Sequence, residues 1–231
     1  MKIWGIKQTI PDNYPGVVVE LHKEVRSYIE NFLCSQHPLR KGPVCPFVSD
    51  ALKFNQIFFS YCSNEDDFKE GLKDYLNFLN LPSESSHKLK TIVVLFPRDF
   101  SIAKLLTQQR KSMGSCIRAG LMLGAFYHTN STPSMYGNNF FPSRTPTPTL
   151  VIRKIVSTDK LFIDPTCHES VEDKLAFIRM FMRLHGKVIS QDKKYELQIF
   201  HRKYLKLLYL KYLLRIILIA LVVTGIVIIL Y

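Results

Sequence analysis

The chain has 231 residues and a net charge of +12, from 31 lysines and arginines against 19 acidic residues. This length is enough for one domain with a substantial core, and the positive charge favours anionic partners such as lipid surfaces or nucleotides. No basic segment interleaved with aromatic residues stands out before residue 192, so nucleic acid is not an expected partner. The five cysteines are scattered without C-x-x-C spacing, which argues against a disulfide framework and a structural zinc site.

The first part of the chain contains one clear helix and one stiff loop. Residues 1–20 are expected to hold short β-like pieces. Apolar residues recur at helical spacing over Leu21–Leu33 and predict an amphipathic helix there. Residues 37–47 are His-Pro-Leu-Arg-Lys-Gly-Pro-Val-Cys-Pro-Phe, and their three prolines and one glycine predict a defined loop without helix.

Two strands and two helices are predicted between residues 55 and 126. Asn55–Tyr61 is expected to be a buried strand, and the continuously apolar Lys90–Phe96 is expected to lie at the centre of the sheet. Glu65–Asn80 has an apolar stripe and a polar capping residue just before it, which predicts a helix. A long helix is also predicted over Ser101–Phe126, with a break near Gly114.

The third quarter of the chain begins with a long irregular segment, residues 127–148. A loop of this length in a compact domain is functional or disordered, and its aromatic residues argue against disorder. A strand over Thr149–Val156 and a helix over Ser170–His185 follow. This alternation predicts an α/β fold, a small two- or three-layer sandwich with a sheet of three to five strands.

The C-terminal segment Tyr212–Tyr231 predicts a transmembrane helix. From Ile216 to Leu230 the sequence carries no charge, and about 20 residues are needed to cross a hydrocarbon core of about 30 Å. The run reaches this length if Arg215 extends its guanidinium back toward the lipid headgroups. A buried core helix, or a helix that pairs with copies of itself, is the alternative.

The residues before this segment predict its orientation. Seven basic residues and two acidic residues lie between Asp192 and Arg215, and basic flanks stay on the cytoplasmic side. The first residues lack the apolar region of a signal peptide. We therefore expect a single-pass protein of the cell inner membrane with a cytoplasmic domain over 1–190, a basic juxtamembrane helix over 191–211 and an anchor over 212–231.

The proline-rich loop and four later segments together resemble a bacterial domain family that is catalogued only as being of unknown function. The resemblance covers roughly residues 30–165 and implies a fold outline without an activity. The family's usual Gly-Glu-Phe is Gly-Ala-Phe here, so one carboxylate is missing. The segments that carry the resemblance are His37–Phe47, Leu95–Pro97, Gly120–His128, Pro146–Arg153 and Asp159–Phe162.

Several side chains in these motifs are suited to chemistry or ligand binding. His37 and Cys45 are the candidate catalytic residues, as an acid/base or metal or haem ligand and as a thiol. Their alternatives are a satisfied loop histidine and a small buried apolar residue. Arginine binds phosphate or carboxylate through two parallel hydrogen bonds, which makes three arginines ligand-binding candidates, although Arg40 can also pair with a structural carboxylate. The ligand-binding candidates are Arg40, His128, Arg144 and Arg153.

Three functions are compatible with the sequence. The first is a membrane-tethered module that binds an anionic, nucleotide-like small molecule, as a sensor or effector in bacterial signalling or defence. The second is a tethered haem- or thiol-dependent oxidoreductase, because the loop around Cys45 is similar to a Pro-Cys loop of certain bacterial haem-dependent oxygenases. The third is an effector that perturbs the lipid bilayer, which would require a homo-oligomer because each chain supplies one span.

Overall fold

A computed structural model describes residues 2–12, 14–81, 89–134, 136–159 and 170–229, with the side chains of the last helix described as far as Val222. Within these ranges the chain forms a five-stranded mixed sheet, six α-helices and one π-helical segment. The predicted α/β class is confirmed. The strands are β1 (Trp4–Gly5), β2 (Ile57–Tyr61), β3 (Thr91–Leu95), β4 (Leu121–Phe126) and β5 (Thr149–Lys154). The helices are α1 (Gly16–Ser27), α2 (Pro46–Lys53), α3 (Glu65–Asn80), α4 (Ile102–Arg118), α5 (Val171–His185) and α6 (Gln191–Ile229), and the π-helical segment Tyr28–Leu33 continues α1.

The strand order in the sheet is β1-β2-β3-β5-β4. Strands β2 and β3 are parallel and the other neighbouring pairs are antiparallel. The central strand β3 buries Ile92, Val94 and Leu95 completely, which confirms the prediction made from its apolar sequence. A core cluster beside it is built from residues of β1, β2, β3 and α1, among them Trp4, Leu21 and Phe59.

The helix-capping signals of the sequence are realised in two places. The Asn64 side chain accepts hydrogen bonds from the backbone N–H groups of Asp66 and Asp67, and so starts α3. The Ser170 hydroxyl accepts from the backbone N–H of Asp173 at the start of α5. Because each cap satisfies backbone donors that a helix leaves unpaired, these two helices begin where the sequence predicts.

The prediction of one helix over Ser101–Phe126 is wrong in its last third. Helix α4 ends at Arg118, and Gly120 takes a φ of +78°, a left-handed conformation that favours glycine and stops a helix. The remaining residues form β4, which pairs with β5 from Leu121 to Phe126. Helical spacing and strand alternation are hard to separate in a short apolar run, and pairing with β5 decides for the strand.

Helix α2 was not predicted. The proline-rich loop was expected to contain no helix as far as Phe47, but Pro46 is the first residue of α2. Proline suits this position because the first N–H groups of a helix have no intrahelical partner in any case. The prolines therefore shape the loop and also set the start of the next helix.

The chain divides into two compact units, Met1–Lys154 and Ile155–Tyr231. The second contains α5 and α6 as an antiparallel pair. Leu197 and Tyr204 of α6 are buried, and Lys211 of α6 forms an ion pair with Glu172 of α5, with 2.8 Å between Nζ and Oε1. The predicted juxtamembrane helix and the predicted anchor as far as Ile229 belong to one continuous helix, α6.

The predicted transmembrane anchor is not found in the described part of the chain, where no helix is long and apolar enough to cross a membrane. Lys211 and Arg215 interrupt the apolar sequence, and α6 continues for 14 residues after Arg215, from Ile216 to Ile229. Fourteen helical residues rise about 21 Å, against about 30 Å for a hydrocarbon core. The rest of the predicted span, Leu230 included, lies outside the described side chains.

Candidate functional site

The proline-rich loop closes on itself through its backbone. The His37 N–H donates to the Gly42 carbonyl at 2.9 Å, and a β-bridge joins Gln36 to Pro43. Gly42 takes a φ of +93°, which makes this sharp turn readily accessible to glycine. Further along, the Cys45 N–H donates to the Leu33 carbonyl at 2.9 Å and ties the loop to the π-helical segment.

His37 is buried, with 3% of its surface exposed. Its contact with Ser134 joins the proline-rich loop to the long loop after β4, residues 127–148. Its Nδ1 accepts a hydrogen bond from the Leu39 N–H at 3.0 Å, so the ring proton of the neutral form lies on Nε2 and donates to Ser134 Oγ at 3.3 Å. Burial lowers the pKa of His37, and the positive charge of Arg40 lowers that pKa further. His37 is therefore a neutral imidazole with both nitrogens occupied.

Arg40 donates mainly to its own loop. Its Nη1 bonds the Lys41 carbonyl at 2.9 Å, and its Nη2 bonds the carbonyls of Pro43 at 2.6 Å and Val44 at 3.3 Å. The guanidinium also lies 5.1 Å from the ring centroid of Tyr136. Most of the five N–H donors of this arginine are thus occupied, which leaves little capacity to bind an anion.

Arg144, unlike Arg40, makes only one hydrogen bond to a carbonyl among the described residues. Its Nε donates to the Asn130 carbonyl at 2.9 Å, and its guanidinium lies 4.0 Å from the ring centroid of Phe141. The terminal nitrogens of this exposed side chain have no hydrogen-bond partner among the described residues. The bond to Asn130 also holds the turn that contains His128, which is exposed. The structure thus brings Arg144 and the turn of His128 together.

Next to Arg144 lies a shallow surface cavity of about 400 Å³, here called the aromatic depression. Two of its rings come from the π-helical segment and two from the loop after β4. Phe32 and Phe140 have ring centroids 5.9 Å apart, and Phe140 also contacts the His37 ring, with centroids 4.9 Å apart. The six lining residues are Tyr28, Phe32, Asn139, Phe140, Phe141 and Arg144.

Residues 22–196 match the family model described as Domain of unknown function (DUF6875), which is about three quarters of the chain. The chain belongs to the DUF6875 family. This confirms the resemblance to a family of unknown function, and the matched range includes both the proline-rich loop and the aromatic depression. Comparisons with curated proteins and with solved structures give no match to this chain.

Within the DUF6875 domain, Arg153 lies away from the other candidates. On β5 it pairs with Met122 and Thr91, whereas the loop containing Arg144 joins the other end of the strand at Thr149. Arg153 follows Thr149 by four residues, which rise about 13 Å along a strand, so the two residues lie toward opposite ends of β5. The predicted cooperation of Arg144 with Arg153 on one ligand stays a prediction that this spacing does not favour.

Cys45 occupies the residue before α2, with a half-buried side chain. Its catalytic role, like that of His37, stays a prediction. Within the described ranges of the DUF6875 domain and the rest of the chain, no group of three or more His, Cys, Asp or Glu side chains is arranged to hold a metal ion. Asp159, from the last resembling motif, accepts from the Val156 N–H at 2.9 Å, and residues 160–162 of that motif lie outside the described residues.

Sequence reasoning missed the part of the DUF6875 domain that forms the aromatic depression. Tyr28 and Phe32 were assigned to the apolar stripe of the first predicted helix, although both are only half-buried. The missing information is the π-helical turn, which changes the direction of these side chains and has no simple sequence signature. The aromatic residues of the long loop were the available signal on the other side of the cavity.

Proposed function

We propose that this protein binds an anionic small molecule through its DUF6875 domain and is held at a membrane by its C-terminal helix. The observation that supports ligand binding is the state of Arg144. This side chain is oriented by the Asn130 carbonyl and the Phe141 ring, and it is exposed. A planar guanidinium fixed in this way presents parallel N–H groups that match a phosphate or carboxylate.

The charge of the protein supports the same reading. The +12 of the whole chain includes +5 from residues 192–215, where seven basic and two acidic residues lie, so +7 remains elsewhere. A positive excess raises the local concentration of anions. His128, exposed in the turn that Arg144 holds, is a second candidate contact for the ligand.

Isothermal titration calorimetry with the full-length protein in detergent tests ligand binding. The probes are inorganic pyrophosphate, citrate, AMP and GMP. We expect at least one of them to bind, and Arg144→Gln to weaken that binding about tenfold or more, because a charged hydrogen bond contributes about 1.5–3 kcal/mol. Arg118→Gln, an exposed arginine at the end of α4, is the matched control. If no probe binds, or if both variants bind equally well, the proposal is wrong.

The proposal of a membrane tether is supported by the surface of α6. Its side chains from Ile216 to Val222 are consecutive and exposed, with 46% to 64% of the surface accessible for each large apolar residue. Consecutive residues point to every side of a helix, whereas a helix that packs on protein has one apolar stripe. Exposed Arg202, Lys203 and Lys206 precede them and suit anionic headgroups on the cytoplasmic side of the inner membrane.

Flotation of the full-length protein with vesicles tests the tether. We expect the protein to float with phosphatidylcholine vesicles that contain phosphatidylglycerol and to resist extraction at alkaline pH. The double substitution Ile217→Lys and Leu221→Lys is expected to release it, because each lysine is costly in hydrocarbon. Val188→Lys is the control, since Val188 is 80% exposed outside α6. A wild-type protein that stays at the bottom of the gradient contradicts the tether and leaves ligand binding to its own test.

A further inference from the structure

We infer that the aromatic depression binds a planar aromatic ring carried by the anionic ligand, so that the ligand class is a nucleotide or another heteroaromatic phosphate or carboxylate. This inference rests on the proposed function, because Arg144, the proposed anion contact, also lines the cavity. It adds that the uncharged part of the ligand is a planar aromatic ring.

The π-helical segment presents two of the rings. Tyr28 and Phe32 have ring centroids 5.3 Å apart and are tilted by 31° to each other. Both are half-buried, so part of each ring faces the cavity. π-Helical turns are rare, because their hydrogen bonding is less favourable than that of an α-helix, and they are frequent at functional sites. A continuous α-helix would orient the two side chains differently.

The loop after β4 supplies the facing ring and is held in place. Phe140 stands between Phe32 and His37, with centroid distances of 5.9 Å and 4.9 Å. The Ser134 N–H donates to the Phe140 carbonyl at 2.6 Å, and the Tyr28 hydroxyl donates to the Pro142 carbonyl. These bonds fix the rings before a ligand arrives, which reduces the entropy that binding would otherwise cost.

The size and polarity of the cavity fit a small molecule better than a protein surface. A volume of about 400 Å³ lies within the range of small-molecule sites, which are mostly apolar with a few placed polar groups. Here those groups are the guanidinium of Arg144 and the amide of Asn139, both exposed. Half-buried aromatic rings offer their faces to any planar ring, and the amide can bond the edge of a heterocycle.

Calorimetry with the full-length protein and four probes separates the ring from the anion. AMP carries both, ribose 5-phosphate carries the anion without the base, adenosine carries the base alone, and pyrophosphate is a purely anionic reference. We expect AMP to bind about tenfold more tightly than ribose 5-phosphate, because its base can stack on an aromatic ring of the depression. Substitution of GMP for AMP tests whether the Asn139 amide distinguishes the base edges.

Two variants assign the difference to the depression. Phe32→Leu is expected to remove most of the preference for AMP over ribose 5-phosphate and to leave pyrophosphate binding unchanged. Phe100→Leu is the matched control, since Phe100 is also half-buried and contacts Phe96, with a centroid distance of 4.5 Å, outside the cavity. Arg144→Gln should weaken AMP and pyrophosphate alike.

The outcomes distinguish the two proposals. If ribose 5-phosphate binds as tightly as AMP, or if Phe32→Leu behaves like Phe100→Leu, the inference about the ring is wrong while anion binding stands. If no anion binds at all, the proposed function fails as well. A preference for AMP that Phe32→Leu abolishes and Phe100→Leu retains is the result that supports the inference.

Discussion

The proline-rich loop and the aromatic depression are neighbours, because Phe140 lines the depression and contacts His37 of the loop. They differ in how far their polar side chains are hydrogen-bonded within the protein. Arg40 donates to three carbonyls of its own loop, and His37 has hydrogen bonds at both ring nitrogens. Arg144 makes one such bond and leaves its terminal nitrogens to solvent. The proline-rich loop, which has the more distinctive sequence, thus has a structural role. The N–H donors available to a ligand are those of Arg144, in the neighbouring loop after β4.

The largest expected effect concerns the two arginines. Arg40→Gln should lower the free energy of unfolding by about 2–3 kcal/mol, because it removes a charged donor from three carbonyls of the proline-rich loop, two of them in part-buried hydrogen bonds. Arg144→Gln should lower it by less than about 1 kcal/mol, as is usual for an exposed side chain. Urea denaturation followed by circular dichroism measures both. Equal losses of stability would show that the contrast between the two loops does not hold.

Acidification is expected to loosen the contact between the loops. Because the folded pKa of His37 lies below the ordinary value, its stabilising contribution is present above about pH 6.5 and is lost as the pH falls below that value. Hydrogen exchange at pH 7.5 and 5.5 should therefore show a lower protection factor, the ratio of intrinsic to observed exchange rate, for the Leu39 amide at the lower pH.

His37→Asn is the control for this experiment, because it removes the titrating ring. Its Leu39 amide should exchange with little pH dependence beyond the intrinsic chemistry. A second histidine, His22, is buried near Trp4 and Phe59, and burial lowers its pKa to about 4. Any acid sensitivity that remains in His37→Asn and extends over the core is assigned to His22. A wild-type loop whose protection is unchanged at pH 5.5 would contradict the role given to His37.

The smallest effect is expected at Gly137, where the long loop passes over Leu39. A β-carbon at this position would overlap the end of the Leu39 side chain. Leu39 is 56% exposed and can rotate away, so Gly137→Ala should cost only about 0.5–1 kcal/mol. The melting temperature should fall by a few degrees. A loss as large as that of Arg40→Gln would mean that the two loops are packed more rigidly than the contrast with Arg144 implies.

The sequence allowed the elements with strong local signals to be predicted. Helix α3 carries both an apolar stripe and the Asn64 cap, and β3 is continuously apolar, so each has two agreeing indications. Strand β4 was mistaken for helix because its identity depends on pairing with β5, a contact between distant parts of the chain. Helix α2 was missed because proline disrupts the interior of a helix but is favoured at its first position, where Pro46 lies.

The candidate site was predictable in part for a similar reason. Arg144 and His128 were identified from residue type and their place in a long loop, and the structure brings their surroundings together. The three hydrogen bonds from Arg40 to carbonyls of its own loop depend on the turn at Gly42 and could not be inferred from spacing. Tyr28 and Phe32 were assigned to a core stripe, since nothing in their spacing distinguishes a π-helical turn from an α-helical one.

The ion pair between Lys211 and Glu172 separates the part of α6 that packs on α5 from the part whose side chains are exposed. Before it, the helix is supported by α5, and after it every side chain from Tyr212 to Val222 is exposed. A short helix without tertiary support is marginal in water, whereas hydrocarbon penalises every broken backbone bond. The surrounding medium, more than the fold, then determines how stiff this end of the protein is.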